Sequence, residues 1–349
     1  MKRYFYHKPY HSDFLNIKSN FVSDNDNLRQ TEEVDASVLR SRPLRTNCIV
    51  CDEPATSAWN VGFTKNNIDY IVCPVCTHLQ SLYQADDAFQ SYIFEQNDYT
   101  QTTYKNTSES AEAIDRRISA IDKPKALYIL DQIRNHDLLS SNTSILDIGC
   151  GSGYMIRALR DIGFSEVAGC DYSSEQLDNA RKLCPDTALF QTDNTTIHQV
   201  ISSISPNVAI LIGSLEHFTV PRDLIKTLGD MQSIEMLIIS VPTFSLSTFI
   251  EGVSRATWSR QLSSSHTHLF TETSLDHLLG ANAFRPVSSW FYGQDALDLV
   301  RHLLFDSECT PPFRSKINDS FNIHLLNDLQ SVIDRHKLSS EIMTVYTRQ

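Results

Sequence analysis

Three alternate glycines in the segment LDIGCGSGYMIRAL, residues 146–159, constrain the fold of this chain most strongly. They stand between an apolar run and a helical pattern, and a glycine turn at such a place lets a ligand approach the backbone. Downstream, short apolar runs keep alternating with amphipathic segments. Strands are predicted at 144–149, 166–171, 188–192, 207–213 and 235–241, with helices at 153–162, 174–183, 196–204 and 221–231. This alternation predicts an α/β fold built on a parallel sheet.

The spacing of these glycines excludes two familiar phosphate-binding turns. A dinucleotide turn requires G-x-G-x-x-G, whereas here the glycines are Gly149, Gly151 and Gly153 and the next residue is Tyr154. No Gly-Lys-Ser/Thr follows, so the Walker pattern is also absent. Asp147 lies two residues before the first glycine, where its carboxylate would repel a pyrophosphate. The turn therefore favours a ligand with a cationic or hydroxyl-rich portion.

Two further acids stand at the ends of the next two predicted strands. Asp171 ends the second strand, where doubly wound folds place a carboxylate on ribose hydroxyls. Tyr172 beside it is placed to lie against a purine, and Asp193 at the end of the third strand is placed to accept a hydrogen bond from an adenine amine. A ligand with ribose, adenine, a positive charge and no phosphate is S-adenosylmethionine (SAM). SAM is the predicted cofactor.

Five segments in this order resemble the successive motifs of class I SAM-dependent methyltransferases. They are DIGCGSG at 147–153, GCDYS at 169–173, QTD at 191–193, GSLEH at 213–217 and ISVP at 239–242. The resemblance covers roughly residues 125–349 and implies a Rossmann-like, seven-stranded domain. One departure is the turn before the fifth strand, where the family commonly has Gly-Gly and this chain has Ser233-Ile-Glu235.

The resemblance also implies roles for the motif residues. The three glycines approach the methionine part of the cofactor, and Asp147 interacts with that part through its amine or a water. Asp171 would hold the ribose diol, and Asp193 would face adenine. A glycine turn that serves only helix–sheet packing is the competing interpretation, and the two downstream carboxylates argue against it.

Four cysteines in two C-x2-C pairs precede this region. Cys48 and Cys51 are separated from Cys73 and Cys76 by 21 residues, a spacing that predicts one structural zinc ion held by four thiolates. Strand-like runs at 57–63 and 68–72 suit a zinc ribbon. A redox C-x-x-C is the alternative. Disulfides are disfavoured because the N-terminal residues lack an apolar export signal, which predicts a reducing, cytoplasmic location.

The predicted organisation has four parts: a polar leader at 1–45, the zinc ribbon at 46–84, a helical connector at 85–125 and the methyltransferase domain at 126–349. A zinc ribbon before such a domain resembles a bacterial group that methylates sugars and polyketide or polysaccharide intermediates. The resemblance implies a small-molecule acceptor that is sugar-linked. That group has a tyrosine two residues before a Glu-His pair; this chain keeps Glu216 and His217 but has Ser214 there, which we assign to the cofactor pocket. Only about sixty residues follow Trp290, fewer than the extra domain of the related C-methyltransferases requires. C- and O-methylation both stay open.

Methyl transfer to a hydroxyl or a carbon acid requires alignment and removal of a proton. His217 follows the fourth strand at the carboxyl edge of the sheet, so we predict that it accepts this proton, with Glu216 orienting the substrate or capping the next helix. The segment 243–264 is predicted to cover the pocket. It leads to a second candidate cluster, SHTHLF, in which His266 matches a histidine of the family and His268 is its neighbour.

Composition bears on the partners. A formal net charge of −12, with Lys65 the only basic residue between 46 and 80, argues against nucleic acid. The apolar runs are too short to span a membrane. Two alternatives stay open: an RNA or protein methyltransferase that docks its substrate on the ribbon, and a SAM-binding regulator without catalysis. The sequence predicts neither the acceptor nor the oligomeric state.

Overall fold

The computed structural model describes residues 2–3, 24–55, 59–93, 110–140, 142–262, 265–306 and 308–349. The strands are β1 Lys2–Arg3, β2 Val61–Lys65, β3 Ile68–Val72, β4 Leu79–Ser81, β5 Ser144–Ile148, β6 Glu166–Asp171, β7 Ala188–Gln191, β8 Val208–Ile212, β9 Met236–Pro242, β10 His268–Leu269, β11 Phe284–Tyr292 and β12 Glu341–Arg348. The α-helices are α1 Asn25–Leu39, α2 Asp87–Ser91, α3 Ala111–Arg117, α4 Lys123–Asn135, α5 Tyr154–Asp161, α6 Ser174–Leu183, α7 Ile197–Ile204, α8 Pro221–Asp230, α9 Leu246–Val253, α10 Glu272–Gly280, α11 Asp295–Phe305, α12 Pro311–Ser320 and α13 Ile323–Arg335. None of the described helices is both long and apolar enough to cross a lipid bilayer.

The large sheet has the order β1-β11-β12-β9-β8-β5-β6-β7. Strands β5 to β9 run parallel, whereas β12 lies antiparallel between β9 and β11. Every residue of β9 is buried, as expected for a central parallel strand covered on both faces. Without the two-residue edge strand β1, the sheet has seven strands. The predicted Rossmann-like α/β fold is confirmed.

The turn before β9, which lacks the expected Gly-Gly, is held by a side chain from the last strand. Arg348 donates from Nε to the carbonyl oxygen of Ile234 at 2.9 Å and from Nη1 to that of Gly229 at 2.8 Å. These carbonyls follow or end helix α8 and have no further helical partner. Hydrogen bonds from the Arg348 guanidinium therefore stabilise this turn, which is built without the Gly-Gly pair of the family.

The cysteine region forms a second, four-stranded sheet in the order β10-β4-β3-β2. Its fourth strand comes from far along the chain: His268 and Leu269 of β10 pair with Gln80 and Leu79 of β4. Cys48 and Cys73 belong to the same apolar core as residues of the large sheet. The ribbon therefore shares both a sheet and a core with the methyltransferase region.

The polar leader contains a helix that its composition did not reveal. Helix α1 buries Ala36 and Leu39 against the ribbon, and its Glu32 carboxylate accepts an ion pair from Lys65 Nζ at 2.5 Å. Both ends of this ion pair are nearly fully buried. Few apolar residues and a tertiary ion pair explain why no sustained period is visible in the sequence.

Candidate active site

A cavity of about 290 Å³ lies at the carboxyl ends of β5, β6, β7 and β8. It is where open α/β sheets bind ligands. Its lining includes all of the predicted cofactor residues except Gly153: Asp147, Gly149, Gly151, Asp171, Tyr172, Asp193 and Ser214. His217 also lines it. The structure thus brings the predicted cofactor residues and one predicted catalytic residue to the same cavity.

The three glycines of the turn all have positive φ, and each meets different surroundings. A Cβ on Gly149 would lie 2.4 Å from the Cβ of Ser214, whose hydroxyl donates to the carbonyl oxygen of Ile148 at 2.7 Å. Gly153 is the N-cap of α5, and a Cβ there would lie 3.1 Å from that of Ala180, so the absence of a side chain lets this end of α5 pack closely against α6. A Cβ on Gly151 would meet open space, since its nearest neighbour would be Oε1 of Gln176 at 3.8 Å. A ligand in the cavity can therefore approach the backbone at Gly151.

Four carboxyl groups line this cavity, and three of them, those of Asp122, Asp147 and Asp171, lie near one another. Asp171 accepts hydrogen bonds from the backbone N–H of Gly151 at 2.8 Å and of Ser173 at 2.9 Å, and so ties the glycine turn to the start of α6. Burial raises its pKa. Burial, together with the nearby Asp171 and Asp122, raises the pKa of Asp147 to about 8. Acids gathered this way favour a cationic ligand, so the residues present fit the sulfonium and ammonium groups of SAM.

The predicted adenine end is more open. Tyr172 is 38 % exposed. Asp193 Oδ1 accepts from the backbone N–H groups of Thr195 and Thr196, both at 2.8 Å, ahead of helix α7. Hydrogen bonds from the Thr195 hydroxyl and then from Thr196 lower the pKa of Asp193 to about 2. One carboxylate oxygen is therefore committed to the backbone, which leaves Oδ2 for a ligand.

Sequence reasoning missed the connector's contribution to this cavity. Arg117, the last residue of α3, and Asp122, the last residue of the π-helical turn Ile118–Asp122, both line it. Gln90, next to the end of α2, also lines it and donates its amide to the carbonyl oxygen of His217. A π turn is often found at functional sites, but no sequence pattern marks it.

Glu216, His217 and His266 form a cluster beside the cavity, which we call the Glu-His-His cluster. Its ligand atoms lie within 4.8 Å of one another, and the two imidazole centroids are 5.1 Å apart. Glu216 and His217 lie in the single 3₁₀ turn Leu215–His217 that follows β8. Burial is the main cause of three pKa shifts: Glu216 rises to about 8, His217 falls to about 3 and His266 falls to about 4. The structure thus brings together three of the residues predicted to be catalytic, Glu216, His217 and His266.

His268 lies apart from this cluster. Its Nδ1 is 3.0 Å from Nε2 of His78, inside the ribbon sheet, and it does not line the large cavity. It does line a small neighbouring cavity with Glu216 and His217. His266 lies outside β10, whereas His268 is the first residue of that strand and pairs with Gln80 of β4, so the two rings have different surroundings.

The segment 243–264 does not cover the pocket, contrary to the prediction, since none of its described residues lines the large cavity. Its helix α9 instead contacts β2 and α11. Glu251 of this helix accepts hydrogen bonds from the backbone N–H groups of Arg260, Gln261 and Leu262 at 2.8 to 3.2 Å. Gln261 in turn offers its carbonyl oxygen to His266 Nδ1 at 3.2 Å. The segment therefore holds the His266 ring in place.

The four predicted zinc ligands lie together. The Sγ atoms of Cys48 and Cys76 are 3.5 Å apart, as are those of Cys51 and Cys73, and all four lie within 4.8 Å of one another. These separations exceed the roughly 2.05 Å of a disulfide and suit thiolates placed about 2.3 Å from one zinc ion. His78 is not part of this set.

The sheet order, the glycine turn and the acidic cavity at the carboxyl edge define a SAM-binding α/β protein. Residues 110–289, more than half of the chain, match a family model described as a methyltransferase domain. The chain belongs to this family and is a SAM-dependent methyltransferase.

Two solved structures are similar to the chain at low identity. A SAM-dependent methyltransferase from Archaeoglobus fulgidus is 13% identical with a TM-score of 0.40, over 64% of this chain and 94% of that one. The magnesium protoporphyrin IX methyltransferase of Synechocystis PCC 6803, determined with bound SAH, is 14% identical with a TM-score of 0.47, over 75% of this chain and 99% of that one. A comparison with curated proteins finds no match.

Proposed function

We propose that this enzyme methylates a small-molecule acceptor, a sugar or a sugar-linked metabolite, at the cavity beside the Glu-His-His cluster. One observation carries the proposal: His217 lines the same cavity as the glycine turn and the acids assigned to the cofactor, Asp147, Asp171 and Asp193. SAM, when bound there, supplies the methyl group from its sulfonium. The chain's own residues bind the two partners and promote loss of the acceptor's proton.

The cofactor's methionine part is assigned to Asp147 and the turn formed by Gly149, Gly151 and Gly153. Asp171 is assigned to the ribose hydroxyls because its carboxylate ends β6 and faces the cavity. Tyr172 and Asp193 are assigned to adenine. Ser214 contributes by packing against Gly149 and closing the floor of the site.

For the reaction itself we assign His217 the main role in proton removal, with Glu216 and His266 as its partners. His217 is the member of the cluster that lines the large cavity. His268 is hydrogen-bonded to His78 and lines a small cavity together with Glu216. It is therefore assigned a supporting role.

The ribbon is assigned one structural zinc ion held by Cys48, Cys51, Cys73 and Cys76, within the proposed domain 46–84. Four thiolates complete a tetrahedral zinc site, so no position is open for a substrate. None of the eight cysteines, all of which are among the described residues, is paired in a disulfide, which supports the proposed cytoplasmic location. The groove beside the ribbon is lined by Asp52, Asp86 and Asp87 as well as Arg45 and Arg222, a mixture of charges that argues against docking RNA there.

The test is the variant His217→Asn, assayed with radiolabelled SAM and a panel of nucleotide-linked and free sugars. We expect SAM affinity to be nearly unchanged and turnover to fall by roughly 10²–10⁴-fold, the usual contribution of a group that assists proton transfer. His266→Asn and His268→Asn are the matched comparisons. Turnover within a few-fold of wild type in His217→Asn, with loss in His266→Asn or His268→Asn, would reassign the role. Absence of methylation across SAM-binding preparations and acceptors would favour the regulator alternative.

A further inference from the structure

We propose that the Glu-His-His cluster binds a divalent transition-metal cation that in turn binds an oxygen of the acceptor. The inference rests on the proposed function and narrows it, since a cation at this place selects a hydroxyl-bearing acceptor and O-methylation. His217 then promotes proton loss as a ligand of the cation.

The donor set is the first argument. Two imidazoles and one carboxylate are a common protein set for divalent metals such as Mn²⁺, Fe²⁺ and Zn²⁺. Atoms bound in adjacent positions about 2.1 Å from one cation are about 3.0 to 3.4 Å apart. The cluster's ligand atoms lie within 4.8 Å of one another, so cation binding requires them to draw together by at most about 1.8 Å.

The orientation of both rings is the second argument. His217 Nδ1 lies 3.3 Å from the carbonyl oxygen of Ser265, and His266 Nδ1 lies 3.2 Å from that of Gln261. A carbonyl oxygen only accepts, so each Nδ1 carries the proton and each neutral ring has its lone pair on Nε2. Metal-binding histidines show this pattern, with the second ring nitrogen donating to a carbonyl or carboxylate.

The state of Glu216 is the third argument, and it is independent of the rings. The residue is 4 % exposed, and its Oε2 is buried with no hydrogen-bond partner among the described residues. A buried carboxylate oxygen without a donor is costly, and a cation between it and two imidazoles would remove that cost.

The cluster is also open to an acceptor on one side. His217 lines the large cavity and, together with Glu216, the small cavity beside it, so a cation bound between these side chains would face a space that an oxygen ligand can enter. A cation lowers the pKa of a bound hydroxyl. The O–H bond then breaks, its electron pair stays on the oxygen, and the proton passes to water in the open cavity.

The experiment is a Mn²⁺ titration of the full chain followed by electron paramagnetic resonance, because Mn²⁺ prefers oxygen and nitrogen ligands and leaves the thiolate site to zinc. We expect about one Mn²⁺ per chain. Glu216→Gln and His266→Asn should each weaken binding by more than the roughly 10- to 100-fold typical of losing an outer-shell partner. His268→Asn, a buried histidine outside the cluster, should retain it. So should Asp147→Asn, which removes an acid from the cofactor cavity.

SAM affinity, measured by calorimetry on the same preparations, separates this inference from the proposed function. SAM binding and methylation in a protein that takes up no Mn²⁺ would overturn the cation site and leave the function standing. Mn²⁺ binding that survives Glu216→Gln and His266→Asn would also overturn it. A wild-type protein that does not bind SAM would instead contradict the proposed function.

Discussion

Asp171 does two things at the residue scale. Its carboxylate holds the backbone of Gly151 and Ser173, and it also faces the cavity where a ribose is expected. On the proposed assignment, the same carboxylate shapes the glycine turn and holds the ribose. The two contributions can be separated by substitution.

Asp171→Ala should weaken SAM binding by about 1.5–3 kcal/mol, since a charge-assisted hydrogen bond to ribose is lost. Asp171→Asn keeps an acceptor for the backbone and should fall between wild type and alanine. Asp178→Ala is the control, because Asp178 lies on helix α6, which follows Asp171 in the chain, is exposed and pairs with Arg181 away from the cavity. Calorimetry measures all three. Unchanged affinity in Asp171→Ala would mean that the ribose lies elsewhere.

Asp147 predicts a pH dependence of cofactor binding. Its pKa is raised to about 8 chiefly by burial, so the ligand-free protein holds a proton there at neutral pH. A cationic ligand favours the ionised carboxylate, so binding should release a proton and affinity should rise from pH 6 to pH 7.5. Calorimetry in buffers of different ionisation enthalpy detects the proton. In Asp147→Asn this release should vanish, and an affinity that falls over the same range would contradict the assignment.

At the scale of secondary-structure elements, the loop after α9 fixes the position of His266. One carboxylate, Glu251, accepts from three successive backbone N–H groups, and Lys65 of the ribbon donates to the carbonyl oxygen of Leu262 at 3.4 Å. The loop is thus fixed from a helix on one side and from the ribbon on the other. Glu251 is a positioning residue.

Glu251→Ala should leave these amides without an acceptor, at about 1–3 kcal/mol for each one that stays buried. The expected result is a lower free energy of unfolding and reduced turnover with little change in SAM affinity, because His266 moves while the cofactor cavity does not. Glu251→Gln should restore part of both losses. Thermal unfolding and steady-state kinetics measure them. A drop in SAM affinity as large as the drop in turnover would argue for a general structural effect.

At the scale of the whole molecule, the ribbon and the methyltransferase region share the β4–β10 pairing and one apolar core. Only Thr267 separates His266 from the start of β10 at His268. A change in the ribbon therefore reaches the Glu-His-His cluster through the backbone.

We expect metal analysis after gentle purification to give one tightly held zinc per chain. Chelation should unfold the ribbon first, since metal binding there contributes folding free energy, and turnover should be lost with it because β10 loses its partner strand. Circular dichroism and activity followed during chelation measure the order of these events. A zinc content near zero with freely reactive cysteines at 48, 51, 73 and 76 would contradict the site.

Sequence alone determined the parts of this protein that depend on neighbours in the chain. The alternation of strands and helices, the glycine turn with Asp147, the acid that ends β6, the acid that follows β7 and the spacing of the cysteine pairs are all local patterns. Such patterns can be recognised in a sequence because they depend on local backbone geometry. Even the place of His217 followed from the end of β8.

Only the tertiary structure decided which distant side chains meet. It brought His266 to His217, placed Arg117 and Asp122 on the cavity, joined β10 to the ribbon and kept the described residues of 243–264 out of the cavity lining. These contacts depend on buried ion pairs and hydrogen bonds between segments far apart in the chain. Such contacts produce no periodic pattern in the sequence, because the hydrogen-bond or ion-pair partner of a buried polar group can come from anywhere in the fold.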